Sequence, residues 1–246
     1  MYIANLSVKL YLQCMPHERI RQCGDLYRKV VSFSAITGVF GHRQVGKSTY
    51  VASVCRHYFT FDDEQTLLSA RRDPRAFLHA KKTFPIAIDE CQLEPRLFPA
   101  IKELVRTRKQ PGQFILSGSV RFTSRKAIRE SLAGRIVSIE LLPLVLSELA
   151  SRPLPEALPS LLRMKSFSET AVSSVFCGDK SKDHELEKYL LRGGLPGLCF
   201  VREERLRSEA LNALHQLILD RDLRLIVETR LSIEMLMRFL REIANG

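Results

Sequence analysis

Short apolar runs alternate with amphipathic stretches through roughly the first 142 residues of the chain. Residues 16–30, PHERIRQCGDLYRKV, predict a helix with Ile20, Leu26, Tyr27 and Val30 on its buried face. SAITGVF follows as a short apolar run, then GHRQVGKSTYVASVC, an order that predicts strand, tight loop and helix. A second short strand is predicted at Tyr58 to Phe61, closed by Asp62 and Asp63. DPRAFLHAKK predicts a helix with Pro74 in its first turn, where a missing N–H is tolerated. FPIAIDE is a continuous apolar run ending in acids, the pattern of a parallel strand buried on both faces. Residues 96–108 predict another helix, Pro111-Gly112 a turn, and QFILSGS a fourth strand. A helix from Ser124 to Leu132 leads to RIVSIEL, the fifth strand.

Strands alternating with helices at this spacing require right-handed crossovers. They predict an α/β fold, a mostly parallel sheet of about five strands covered by helices on both faces. The alternation stops near residue 142, where LLPLVLSELASRPLPEALPS carries four prolines. From Leu158 onward only helical patterns occur. Two parts are therefore expected: a core with an N-terminal helix over residues 1–150, and a helical region over 151–246.

Composition fits this picture and adds one unusual property. With 246 residues, 45% of them hydrophobic and 26% charged, the chain has the make-up of an ordinary globular protein. Its formal net charge of +11 favours phosphate-bearing partners, among them nucleotides, nucleic acid and anionic surfaces, or serves only as a solvated basic surface. No stretch approaches the about 18 apolar residues of a membrane span. The N-terminus lacks the basic start and clean hydrophobic core of a signal peptide. The six cysteines are irregularly spaced, with no metal-knuckle or redox pair, so reduced thiols and a cytoplasmic location are expected.

GHRQVGKS, Gly41 to Ser48, fits the Gly, four residues, Gly-Lys-Ser pattern without exception, and it lies between a predicted strand and a predicted helix. Glycines let the backbone wrap closely so that successive N–H groups face an anion, and the helix adds its positive end. The expected ligand is a nucleoside triphosphate, ATP with magnesium. Gly41, His42, Arg43, Gln44, Val45, Gly46, Lys47, Ser48 and Thr49 would hold it, with Lys47 on the β- and γ-phosphates and the Ser48 hydroxyl on the metal. The bland alternative is a glycine turn before a helix.

PIAIDE supplies the carboxylate such a metal needs at the end of a neighbouring strand. Asp89 would hold the ion or its water, and Glu90 would polarise an attacking water. An acid pair in this position can otherwise be a turn or a helix cap. On the fourth strand Ser117 and Ser119 flank Gly118, and a polar side chain there, Ser119 above all, can contact the γ-phosphate or the water; two turn serines are the alternative.

Together GHRQVGKS, IDECQLEPRLFPAIKELV, QFILSGSVRF, SLAGRIVSIELLPLVLSEL, YLLRGGLPG and LDRDL resemble the AAA+-like predicted P-loop ATPases of bacteria and archaea that usually carry a C-terminal domain of unknown function. His42, Ser48, Cys91 and Ser117 replace that family's usual proline, threonine, isoleucine and threonine; none of these changes removes a catalytic group. The resemblance implies a three-layer α/β/α core followed by helices. It also implies that Arg135, in SLAGR, reaches a nucleotide phosphate within the chain or across a homo-oligomer, against the alternative of a surface ion pair. Arg43 poses a similar choice, with structural pairing favoured. Family members generally run on past FLREIANG, so a shortened product or paralogue is expected. Two functions compete: an ATPase with Glu90 as its base, or a nucleotide-gated module that binds nucleic acid or protein with little hydrolysis. A GTPase lacks support, since no Asn-Lys-X-Asp motif follows the fourth strand.

Overall fold

The computed structural model describes residues 19–119, 130–153, 162–164, 168, 183–223 and 231–245. Five strands form one sheet: β1 (Ile36–Gly41), β2 (His57–Thr60), β3 (Ile86–Asp89), β4 (Phe114–Ser119) and β5 (Ile136–Glu140). Their order across the sheet is β2-β3-β4-β1-β5, and each pairing is parallel.

Alternation along these strands splits the core in two. Ile36, Phe40, Ile86, Ile88, Phe114 and Leu116 point to one face, where they meet Leu97, Phe98, Ile101 and Leu104 of α5 (Leu97–Arg108). α3 (Glu64–Arg72) and α4 (Pro74–His79) complete that layer through Ala70 and Leu78. Val39, Ala87, Ile115 and Ile139 point the other way, to Tyr27 and Val30 of α1 (Gly24–Phe33) and Tyr50 and Val51 of α2 (Lys47–Val54). A strand with side chains in both clusters has no solvent face, which is why these segments read as unbroken apolar runs.

Several elements differ from expectation. The first described helix begins at Gly24, and the part of residues 16–30 before Arg19 lies outside the described residues. Arg19 to Cys23 are non-helical because they are tied to distant segments: Arg19 Nε donates to Leu149 O at 3.1 Å and the Gln22 N–H to Glu148 Oε1 at 2.6 Å. Consequently Ile20 is 88% exposed and Leu26 is exposed as well, while Tyr27 and Val30 are buried. The second strand lies one residue earlier than expected, with Phe61 buried just beyond it. Asp63 then caps α3, accepting from the Thr66 N–H at 2.9 Å. The expected helix from Ser124 to Leu132 lies mostly outside the described residues; Glu130 to Leu132 are helical.

After β5 the chain passes α6 (Leu146–Leu149) and reaches α7 (Asp183–Arg192), α8 (Pro196–Cys199), α9 (Glu204–Leu217) and α10 (Ile233–Asn245), with a π-helical turn at Ile218–Leu223. This region is seated on the core at Gly194. The Leu144 N–H donates to Gly194 O at 2.7 Å, and a Cβ on Gly194 would lie 1.9 Å from the Leu144 carbonyl oxygen.

Candidate functional site

Because β1, β3 and β4 are neighbours in one parallel sheet, Gly41, Asp89 and Ser119 end at the same rim. The Gly41–Ser48 loop leaves that rim. Gln44 (φ 61°) and Gly46 (φ 89°) take left-handed conformations, the kind of alternation that turns successive N–H groups toward one side. At Gly41 a Cβ would lie 2.2 Å from Leu141 O, so only glycine fits. Val45 is fully buried and anchors the loop in the core, while His42, Gln44 and Ser48 are exposed.

Lys47 opens α2 and is only 7% exposed. Its ammonium donates to the His42 carbonyl at 2.8 Å and so lies across the loop. Burial pulls its pKa below the usual lysine value, the Glu90 and Asp89 carboxylates oppose that shift, and nearby Arg43 reinforces it.

Asp89 is 2% exposed, and both of its oxygens are engaged. Ser117 Oγ donates to Oδ1 at 2.5 Å and the Glu90 N–H to the same oxygen at 3.0 Å. The Tyr58 hydroxyl donates to Oδ2 at 2.7 Å. Burial, then the Asp89 charge, raises the Tyr58 pKa, so the phenol keeps its proton. Glu90 adopts a left-handed backbone (φ 51°), and Gln92 Nε2 donates to its Oε2. Burial and then the Asp89 charge raise the Glu90 pKa. Gln92 rests against Gly118, where a Cβ would be 2.1 Å from its Oε1.

These donors suit magnesium. It is a hard cation that takes one or two protein oxygens and fills its remaining positions with phosphate and water. An exposed serine hydroxyl and a carboxylate pinned by three donors are such a set.

A cleft of about 970 Å³ extends from the loop and is lined by Arg43, Gln44, Gly46, Lys47, Ser48, Thr49 and Glu90 on one side. Ile20, Gln22 and Tyr27 continue it, and Pro196, Gly197 and Phe200 of the helical region close it. Arg21 braces the loop from behind: Nη1 donates to Val45 O at 2.9 Å, Nη2 donates to Leu142 O, and Nε lies 3.4 Å from Glu148 Oε1.

One expected site residue lies away from this rim. Arg135 immediately precedes β5, whose Ile136 pairs with Ile36 at the start of β1, so it sits at the opposite end of the sheet from Gly41. Roughly 17 Å of strand separates the two ends, and the Arg135 guanidinium donates to Ala133 O at 3.3 Å. Within one chain the Arg135 side chain thus lies far from the phosphate loop. On β4 the serine joined to Asp89 is Ser117, which is fully buried; the Ser119 side chain lies outside the described residues. Tyr58, Gln92, Arg21 and Glu148 went unrecognised in the sequence. Only Tyr58 gave a signal there, a polar-tipped ring on the strand before the acidic one.

Residues 34–150 match the model of a family described as an AAA domain. The chain is also similar to uncharacterized proteins of Mycobacterium bovis and Mycobacterium tuberculosis. Each is 32% identical over 143 residues, a stretch that covers 57% of this chain and 32% of the relative. The chain thus spans about a third of the length of the curated relatives it matches.

Proposed function

We propose that this chain, whose residues 34–150 form a domain of the AAA-type ATPase family, binds ATP with magnesium and hydrolyses it to ADP and phosphate to drive or gate a conformational change. The observation that carries this reading is the gathering of Lys47, Ser48, Asp89 and Glu90 at one rim of the sheet, beside a cleft large enough for a nucleotide.

The loop's N–H groups and Lys47 supply positive charge for the β- and γ-phosphates. Ser48 and Asp89 are the residues that would hold the metal, which when bound neutralises charge building on the phosphoryl oxygens. Glu90 reaches the cleft from the end of β3, where burial and the Asp89 charge raise its pKa. A carboxylate of raised pKa accepts a proton from water more readily than an ordinary one. Gln92 holds that carboxylate in a defined orientation. Because Pro196, Gly197 and Phe200 also line the cleft, nucleotide binding bears directly on the helical region, which gives hydrolysis a mechanical output.

Phosphate release from purified protein tests the reading, run with ATP and GTP and with and without DNA, RNA and candidate protein partners. Magnesium-dependent turnover is expected with ATP, and Glu90→Gln is expected to lower it by about 100-fold or more while leaving ATP bound. Absence of turnover under every condition, with nucleotide still bound, would favour the alternative, a nucleotide-gated module for nucleic acid or protein. The net charge of +11 supports that alternative, and a steep loss of binding with added salt is its signature.

A further inference from the structure

We infer that Tyr58 is a positioning residue for the metal site, holding the Asp89 carboxylate in one orientation so that magnesium meets a preformed ligand. The inference rests on the nucleotide-binding reading above and adds a residue to it.

Tyr58 lies on β2, one strand from Asp89, and parallel pairing sets Tyr58 against Ala87 and Thr60 against Asp89. Its ring packs with the buried cluster around Val51 and Ala87, so its position is fixed by apolar contact. The Tyr58 hydroxyl donates to Asp89 Oδ2 at 2.7 Å, which makes it a direct link between β2 and the end of β3.

Packing of α2 on β3 sets the backbone separation there but leaves the Asp89 side chain able to rotate, at the cost of a rotamer. Ser117 fixes one carboxylate oxygen from β4, leaving the other to be fixed from β2. With both oxygens held, the carboxylate plane is defined. Outer residues that orient ligands in this way typically govern metal affinity by about 10- to 100-fold.

Tyr58→Phe removes a single oxygen and keeps the packed ring, which makes it the decisive variant. Affinity for a fluorescent ATP analogue is measured with excess EDTA and then across a magnesium titration, alongside thermal unfolding. The expected result is unchanged metal-free nucleotide affinity with apparent magnesium affinity weakened about 10-fold or more. Magnesium affinity within twofold of wild type overturns the inference. So does an equal loss of metal-free binding, because that marks a general structural defect. If the wild type itself binds the analogue no more tightly with magnesium than without it, the proposed function fails at its root, a result distinct from either outcome in the variant. Ser117→Ala tests the other oxygen of Asp89 and should weaken magnesium binding in the same direction.

Discussion

Glu94 is 3% exposed and yet surrounded by charge. Arg96 Nε donates to its Oε1 at 2.8 Å and Arg71 Nε to its Oε2 at 3.0 Å. The hydrogen bond from Arg96 holds its carboxyl below the usual range, with burial opposing and Arg71 assisting. A depressed carboxylate stabilises the fold fully at pH values above its unfolded pKa, and the benefit is lost as pH falls through the folded one. Glu94→Gln is therefore expected to cost about 1 kcal/mol at pH 7, a modest figure because both arginines are exposed to solvent. Denaturant unfolding from pH 7 down to pH 3 should show the variant and the wild type converging in acid, and parallel curves would refute the assignment. The same contrast explains what single residues disclosed. Gly41, Gly46, Lys47 and Ser48 form a contiguous motif whose chemistry is visible in any setting, and Asp89-Glu90 ends an unmistakable apolar strand. Gln92 carries no local mark, and Tyr58 shows only a polar-tipped ring on the preceding strand. Their meaning comes from strand register and from a glycine on the next strand, neither of which a linear pattern contains.

Among elements, the segment before α1 is the least expected. Arg19 to Cys23 belong by pattern to a helix, but Arg21 extends across to the phosphate loop and to the carbonyl of Leu142. Glu148 joins this clasp, accepting from the Val145 N–H at 3.1 Å as well as from Gln22. Tertiary hydrogen bonds thus override helical periodicity, and they come from residues more than 120 positions away. The α3 helix escaped notice for a different reason. Its sequence EQTLLSARR is mostly polar and buries only Ala70 completely, so few apolar positions mark it, and its start is set by the Asp63 cap. The β-strands and α5 were legible because each fills a buried layer, and only burial imposes a strong pattern. The Arg21–Glu148 pair, 8% and 5% exposed, sets a measurable cost. Glu148→Ala should destabilise the protein by about 3–5 kcal/mol, since it strands a buried guanidinium. Combining it with Arg21→Met should recover part of that loss in a double-mutant cycle. A single-variant cost below about 1 kcal/mol would show that water replaces the missing carboxylate.

For the whole molecule, the polarity of the sheet separates the loop at one rim from Arg135 at the other. A phosphate contact by Arg135 then requires a second copy of the chain, an arrangement that makes turnover depend on protein concentration. Hydrolysis per chain should rise with concentration in the wild type, while Arg135→Ala removes that rise and lowers the plateau by about 10-fold or more. Nucleotide affinity in dilute solution should stay within twofold. Concentration-independent turnover, insensitive to Arg135, would assign the arginine to local structure alone. The order of strands has a consequence of another kind, for synthesis on the ribosome. Among the described residues β1 hydrogen-bonds only to β4 and β5, and its first residue, Ile36, is matched with Phe114. While the chain emerges, the strand that carries the phosphate loop has no partner until β4 has been made. β2 and β3 can pair with each other beforehand. Closing so long a span carries an entropic penalty before any contact repays it. The nascent protein accordingly gains its ligand-binding loop late, when the middle of the sheet is inserted between strands already exposed, and a ligand present at that moment would favour the completed form.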